Sequence, residues 1–366
     1  MADRPRRRRR SRRPVNSLAA TYSVKANTSD GVADRLYANG NMQVPVDVVI
    51  TAVNADEKPY YLSDSELSNI KLVDYNNVDS QLSGKWKYTD KENEYGHIMD
   101  GAGGFVSSGG ASGASTHASG HSSVQTKRYW VSTTAIENQK IGAAITEPNG
   151  NYYNTHSKDE NNFVILTGIS PITYNTGNVR VTRDENDTTT GMYSLSYDMQ
   201  VWHTKVSPTV GTSWKAQNYQ LSLNQGLIKK AEIYGYHSSS DSLNHSIKFS
   251  PSSGGELSIF YMWPLGSQED RKVGLDVSKN VSPQIPRFDL SATVTVPINN
   301  RRGSVCFTRV HYSAINGFPV PFSWWGSEST EKAGCKIYDE WGNWGQFKIG
   351  FSGSSNDQNV VITDTN

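Results

Sequence analysis

The chain has little cysteine and no long apolar run. Its two cysteines, Cys306 and Cys335, stand among 366 residues, which excludes the dense disulfide framework of small secreted domains. As a bridge the pair would close a loop of roughly 28 residues and stabilise the fold by about 3 kcal/mol. Two buried thiols are the alternative, and the sequence leaves both open. No apolar run approaches the ~20 residues of a membrane-spanning helix.

Charged residues are also sparse, whereas aromatic and turn-forming residues are plentiful. The chain contains 19 Tyr, 10 Phe and 9 Trp, and Gly, Ser, Thr and Asn abound, a mixture that favours strands and tight turns over helices. From about Gly177 onward, short strand-like segments recur roughly every ten residues between polar turns. The sequence therefore predicts an all-β chain of antiparallel sandwiches.

Positive charge is concentrated at the N-terminus. The segment "RPRRRRRSRRP" contains the arginines Arg4, Arg6, Arg7, Arg8, Arg9, Arg10, Arg12 and Arg13. The remaining 28 basic and 34 acidic residues give the rest of the chain a net charge of −6. Like charges without apolar neighbours do not enter a core, so residues 1–20 are predicted to form a disordered arm. Clustered guanidinium groups suit a polyanion, either nucleic acid or an acidic surface; a solubilising tail is the alternative.

Length and pattern divide the remainder into two predicted domains, 21–172 and 173–366. The first contains "MQVPVDVVITAV", where Val44, Val46, Val48 and Ile50 alternate with polar residues, as in a half-buried strand. Ser63 precedes Glu66 by three positions, the spacing of a helix capping box. Residues 101–123 are rich in glycine and serine and are predicted to be a flexible insertion.

The segment "YANGNMQVPVDVVITAVNADEKP" resembles the opening of bacterial Ig-like domains of the invasin and intimin type. "WVSTTAIENQKIGAAI" resembles a later strand pair of that family, so the similarity spans Tyr37–Ile145. The resemblance implies a seven-stranded Ig-like β-sandwich that serves as a spacer or adhesive module and not as an enzyme.

The C-terminal part carries a fainter resemblance. "ATVTVPINNRRGSVCFTRVHYSAINGFPVPF", followed by "GQFKIGFSGSSNDQNVVITD", is similar to the end of aerolysin-type pore-forming proteins. That likeness implies a toxin-like C-terminal β domain.

Tryptophans in "FSWWGS" and "EWGNWG" are candidates for a ligand platform, with Trp341 and Trp325 as the rings most open to a sugar or nucleobase. Core packing at strand ends is the alternative. We expect Trp341 to be partly exposed. We expect Trp344 to lie in the core beside the strand that contains Phe347, Ile349 and Phe351.

Neither a metal site nor a catalytic motif is predicted. His117 and His121 stand in the Gly/Ser stretch without a third ligand nearby in sequence. The acidic runs around Asp64 and from Asp184 to Asp187 do not match the spacing of a calcium loop and are interpreted as turns. No phosphate loop or nucleophile elbow is found, so no cofactor is expected.

Together these features predict a non-enzymatic interaction protein. The first hypothesis is a bacterial surface or secreted protein, adhesin-like or toxin-like, extracellular without a recognisable cleavable signal. Its expected partners are a polyanion at the arm, a protein or glycan elsewhere, and further copies of itself. The alternative is a viral capsid protein of the virion, whose arm holds the packaged nucleic acid. A carbohydrate-binding protein is the third hypothesis.

Overall fold

The computed structural model is almost entirely β-structure, and the all-β prediction is confirmed. It describes residues 19–54, 56–99, 124–147, 150–156, 162–193, 196–199, 204–206, 212–234, 237–238, 245–249, 257–266, 269–279, 288–298, 301–313, 333–353 and 358–365. The predicted arm, apart from its last two residues, and the predicted insertion lie outside these residues, as do Trp325, His117 and His121. The chain divides into two compact units, Met1–Pro171 and Ile172–Asn366.

The first unit contains two sheets. Its strands are β1 (Ala19–Ala26), β2 (Ala33–Tyr37), β3 (Val44–Val53), β4 (Pro59–Tyr60), β5 (Ile70–Asp74), β6 (Asn77–Gln81), β7 (Trp86–Thr89), β8 (Val124–Thr133), β9 (Asn138–Thr146), β10 (Tyr152–Asn154) and β11 (Val164–Ile169). Sheet A has the order β1-β3-β8-β7, with β4 on β3. Sheet B has the order β2-β11-β9-β5-β6, with β10 on β9.

The predicted alternating strand is β3, at the centre of sheet A. Val44, Val46, Val48 and Ile50 are at most 1% exposed, so each contributes about 1.5–3 kcal/mol of burial. The hydroxyl of Tyr129 on β8 donates to the Ile70 carbonyl of sheet B at 2.7 Å. The two sheets therefore enclose one core between them.

The first unit differs in two ways from the sandwich that the Ig-like resemblance implies. Its described residues form eleven strands instead of seven. Strands β2 and β11 pair in parallel, whereas all other pairs of the unit are antiparallel among the described residues. The segment "WVSTTAIENQKIGAAI" contains the end of β8 and most of β9, and these two strands belong to different sheets.

The helix α1 (Asp64–Leu67) confirms the predicted capping box. The Ser63 hydroxyl accepts from the Glu66 N–H at 3.3 Å, and the Glu66 carboxylate accepts from the Ser63 N–H at 2.8 Å. These bonds satisfy donors that a helix start leaves open. The acidic run at Asp64 is thus the first turn of a helix.

The second unit contains three sheets. Its strands are β12 (Val179–Tyr193), β13 (Ser196–Met199), β14 (Thr204–Val206), β15 (Thr212–Leu223), β16 (Ile228–Tyr234), β17 (His237–Ser238), β18 (His245–Phe249), β19 (Leu257–Met262), β20 (Glu269–Lys279), β21 (Phe288–Ile298), β22 (Ser304–Tyr312), β23 (Gly334–Asp339), β24 (Trp344–Ser352) and β25 (Asn359–Asp364). Sheet C has the order β12-β15-β22-β19-β18-β17, sheet D β14-β13-β21-β20, and sheet E β16-β23-β24-β25.

Sheet C is covered on both faces. All nine residues of β22 are buried. A strand with one face in solvent would instead show buried and exposed residues in alternation. Phe307 packs in a core cluster with Ile337 and Phe347 of sheet E. On the opposite face, Asn218 of sheet C donates to the Pro297 carbonyl of sheet D at 3.2 Å. The order of layers is therefore E, C, D.

The acidic run from Asp184 to Asp187 does not form the predicted turn. It lies inside β12, the longest described strand. The pairing of β12 with β15 changes register between Arg183 and Thr188, which face Tyr219 and Gln217. A β-bulge absorbs extra residues in one strand of a pair without ending it, so the polar segment continues the strand.

Candidate ligand-binding face on sheet E

One surface of the described chain combines an exposed aromatic ring with several cations. Sheet E turns Cys335, Ile337, Phe347 and Ile349 toward sheet C, where all four are at most 2% exposed. Because side chains alternate along a strand, the intervening residues point away from the core. This outer surface, here called the sheet E face, consists of Lys230, Glu232, Tyr234, Lys336, Tyr338, Trp344, Gln346, Lys348 and Thr363.

The strand register arranges the sheet E face in rows. Lys230 pairs with Tyr338, and Tyr338 pairs with Trp344. In the next row Glu232 pairs with Lys336, and Lys336 pairs with Gln346. In the third row Tyr234 pairs with Gly334, Gly334 with Lys348, and Lys348 with Thr363. Residues paired in this way have their side chains about 4.5–5.5 Å apart at Cβ.

Lysine ammonium groups lie beside the rings of this face. Nζ of Lys336 is 4.0 Å from the ring centroid of Trp344 and 5.0 Å from that of Tyr338. Nζ of Lys230 is 5.4 Å from the Tyr338 ring. Each distance is within the range of a cation–π attraction. Lys336 is thereby held between two rings, and Trp344 remains 40% exposed.

Polar contacts hold several side chains of the face in place. The Tyr338 hydroxyl donates to Glu232 at 3.2 Å, and Lys230 forms an ion pair with the same carboxylate at 3.3 Å. Gln346 Nε2 donates to the Tyr234 hydroxyl at 3.0 Å. The face therefore has three lysines against one carboxylate.

A glycine makes room for Tyr234. A Cβ at Gly334 would stand 2.4 Å from the Tyr234 hydroxyl oxygen and 2.4 Å from the Phe347 carbonyl oxygen. The hydroxyl donates to that carbonyl at 3.3 Å. Any larger residue at position 334 would displace the ring from the face.

The loop between β23 and β24 separates the two tryptophans of "EWGNWG". Trp341, the ring predicted to belong to a ligand platform, lies in this loop and is partly buried. Its backbone N–H donates to Asp339 Oδ1 at 2.8 Å. Trp344 is the first residue of β24, and the expectation that it lies in the core is wrong. It stands three positions before inward-facing Phe347, and residues an odd number of positions apart on a strand point to opposite faces.

The second unit places its two cysteines on opposite sides of a sheet, as separate free thiols. Cys335 on β23 lies in the core cluster between sheets E and C. Cys306 on β22 stands between Val305 and Phe307, which face that cluster, and is directed toward Asn218, with Sγ 3.8 Å from Asn218 Oδ1. No bridge forms because Cys335 lies on the sheet E side of sheet C, whereas the Cys306 side chain lies on the sheet D side. Burial raises the pKa of the Cys335 thiol to about 12.

A second polar group of side chains lies inside the unit, on the face of sheet C toward sheet E. Arg309 is 1% exposed and donates to Ser258 and Gln217, each at 3.3 Å. His311 Nδ1 is 3.1 Å from the Ser258 hydroxyl. Burial, followed by the charges of Arg309 and Lys215, lowers the pKa of His311 to about 4. The imidazole is therefore neutral near pH 7, and the group is interior and closed to a large ligand.

The described residues show neither a metal-binding cluster nor a helix suited to a membrane. They contain no cluster of three or more His, Cys, Asp or Glu side chains placed to hold a metal ion. Nor does any helix among them have the length and apolar character needed to cross a membrane.

Comparison with known proteins adds little. No model of a known protein family matches the chain, and no curated protein matches it. Among solved structures, it is similar to the C-terminal domain of the Streptococcus agalactiae antigen I/II polypeptide BspA, with 10% identity, a TM-score of 0.18 and coverage of 94% of this chain and 100% of that one. It is also similar to the C-terminal domain of the Streptococcus pyogenes antigen I/II-family protein AspA, with 8% identity, a TM-score of 0.17 and coverage of 94% of this chain and 99% of that one. Such TM-scores are too low to bear on the fold or the function.

Sequence reasoning singled out tryptophans and missed their cationic neighbours. Lys336 and Tyr338 stand two apart in "CKIYD", and Gln346 and Lys348 stand two apart in "WGQFK". Polar or aromatic residues two positions apart on both sides of a short turn indicate side chains that share one face of a hairpin. Lys230 and Glu232 join the face only because β16 pairs with β23, a strand about a hundred residues later in the chain. No local sequence pattern predicts that pairing.

Proposed function

We propose that this chain is a non-enzymatic interaction protein that binds a polyanion through its arginine-rich N-terminal segment. The observation that carries the proposal is the division of charge along the sequence. Residues 1–14 contain eight arginines and one acid, whereas the rest of the chain has a net charge of −6. Guanidinium groups neutralise phosphates and release their counterions, and they bind phosphate in a bidentate geometry.

The charge division also supports separate roles for the two parts. An acidic body repels a polyanion at long range, so the body adds little attraction and the arm acts alone on a double-stranded or sulfated target. The bacterial surface or secreted setting rests on the Ig-like resemblance of Tyr37–Ile145. In that setting the first unit serves as a spacer or adhesive module and the arm as an anchor to an acidic surface.

The arm is tested on a target that offers charge without unpaired bases. We expect the full chain to bind duplex DNA with a slope of log K against log salt approaching about −7 if all eight arginines contact phosphates. Replacement of the eight arginines by glutamine should abolish this binding, and replacement by lysine should retain most of it. Binding that survives the glutamine variant, or that does not respond to salt, would overturn the proposal.

A second candidate function is that of a coat protein. The order of an arginine-rich arm followed by a β-rich body favours it, because such an arm can hold a packaged nucleic acid inside a shell. Light scattering of the full chain separates the two candidates. A particle of megadalton mass supports the coat protein, and a monomer or small oligomer supports the surface or secreted protein.

A further inference from the structure

We propose that the sheet E face binds an unpaired nucleic-acid strand, with Trp344 as the stacking ring and Lys230, Lys336 and Lys348 as phosphate contacts. The proposal rests on the proposed function in one respect, since it identifies as nucleic acid the polyanion that the arm attracts. The site itself is built only from described residues of sheet E.

The three lysines form a straight diagonal across the sheet. Lys230 lies in the first row on β16, Lys336 in the second row on β23, and Lys348 in the third row on β24. With strands about 4.8 Å apart and rows two residues apart, successive lysines are separated by about 8 Å at the backbone. The diagonal is therefore a track of positive charge roughly 17 Å long.

Aromatic rings flank this track on both sides. Trp344 and Tyr338 lie on one side of the diagonal and Tyr234 lies on the other. Proteins that bind single strands combine a positive track with rings on which bases stack. Trp344 is the most exposed of the three rings, at 40%, whereas Tyr338 is only 7% exposed.

Charge complementarity selects this occupant over a neutral sugar. The face has a net charge of +2 from three lysines and Glu232, within a body whose net charge is −6. Glu232 is already engaged by Lys230 at 3.3 Å and by the Tyr338 hydroxyl at 3.2 Å. A neutral glycan would gain from the indole but nothing from the lysines. A duplex presents no free base to the indole and so lacks the stacking contact on which the face depends.

The test compares two single strands of equal charge on the full chain. One is a 20-nucleotide oligothymidylate, and the other is an abasic sugar-phosphate strand of the same length. The arm contacts both alike, so only stacking separates their affinities. One stacked base strengthens binding about 5- to 150-fold. We expect oligothymidylate to bind more tightly by a factor in this range.

Variants assign the difference to the face. Trp344→Ala should remove the preference for oligothymidylate and leave the affinity for the abasic strand unchanged, and Trp344→Phe should keep part of the preference. Lys336→Gln together with Lys348→Gln should make the salt slope shallower by about 1.4, at 0.7 for each lost contact. Lys71→Gln, an exposed lysine on β5 of the first unit, is the matched control and should change nothing.

Three outcomes overturn the inference. The first is equal affinity of the wild-type chain for the two strands. The second is a preference for oligothymidylate that persists in Trp344→Ala. The third is binding of a sulfated oligosaccharide that depends on Trp344, without any preference for oligothymidylate over the abasic strand. Failure of the arm is seen differently, because it removes the affinity for duplex and most of the salt-dependent affinity for both single strands, while the stacking preference and the lysine contacts of the face remain.

Discussion

The hydroxyl of Tyr174 donates a 2.9 Å hydrogen bond to Oδ2 of Asp339, although the two residues are 165 positions apart. Asp339 is 1% exposed. Its carboxylate also accepts from the N–H groups of Trp341 and Asn343, both at 2.8 Å, and from Nδ2 of Asn343 at 3.0 Å. One buried carboxylate thus holds the β23–β24 loop and ties it to the segment that precedes β12.

Removal of this carboxylate is expected to destabilise the second unit strongly. Asp339→Ala leaves several buried donors unsatisfied and should lower the free energy of unfolding by at least about 3 kcal/mol. Tyr174→Phe removes one donor and should cost about 1 kcal/mol. Urea melts of the full chain, followed by near-ultraviolet circular dichroism, measure both.

Asp364 provides the matched control for Asp339. Its carboxylate likewise accepts from a backbone N–H and a hydroxyl, both of Thr176 and both at 2.9 Å, but it is exposed. Asp364→Ala should cost less than about 1 kcal/mol, because water replaces the lost acceptor. Equal losses for the two aspartates would contradict a role for burial.

Asp34 is expected to make the first unit less stable as the pH rises. It shares a face of β2 with Leu36, which is fully buried, and burial raises its pKa to about 6 from a usual 3.8. The folded state therefore holds this proton more tightly than the unfolded state. Its contribution to stability is present below pH ~4 and is lost between pH ~4 and ~6, by up to about 3 kcal/mol.

The Asp34→Asn variant isolates this contribution. The variant should match the wild type near pH 4 and exceed it in stability by up to about 3 kcal/mol at pH 7. Asp30→Asn is the control, and its effect on stability should change with pH in the opposite direction. Hydrogen bonds from the Val32 N–H and the Thr28 hydroxyl lower the pKa of Asp30. A stability difference between wild type and Asp34→Asn that does not vary between pH 4 and 7 would rule out the mechanism.

The two cysteines are expected to be unreactive in the folded protein. Both are fully buried, and the thiolate is the reactive form, which the raised pKa of Cys335 suppresses. A thiol reagent should therefore titrate no thiol in the native chain at pH 8. It should titrate both in denaturant without reductant. An absence of thiols in the second measurement would show that a bridge exists after all.

Much of the local structure was predictable because it depends on short-range chemistry. The alternation in "MQVPVDVVITAV" predicts β3 and its buried side, and the Ser63–Glu66 spacing predicts α1. The sequence also contains the pattern of strand β1. Its buried residues, Tyr22, Val24 and Ala26, alternate with polar residues. This strand is not among the strands predicted above, and the predicted arm, which ends at residue 20, overlaps β1 by two residues because β1 begins at Ala19.

Other predictions failed where a distant strand supplies the missing partner. Polar residues from Asp184 to Asp187 favour a turn locally, yet β15 pairs on both sides of them and the bulge keeps the strand continuous. Trp344 was expected in the core because of its apolar neighbours. Its position relative to Phe347 already directs it outward, but only the packing of sheet E on sheet C decides which side of β24 is covered.

The sequence by itself determined that this is a β protein, that its arginines are concentrated in the first 13 residues, and which residues of each strand share a side. These properties follow from composition, from charge and from a side-chain period of two, and all of them are local. Only the tertiary structure decided that Lys230, Lys336 and Lys348 form one diagonal beside Trp344, and that Cys306 and Cys335 lie on opposite sides of sheet C. Both depend on the register and layering of strands that are distant in the chain, which hydrogen bonds between strands and burial of shared apolar faces determine together.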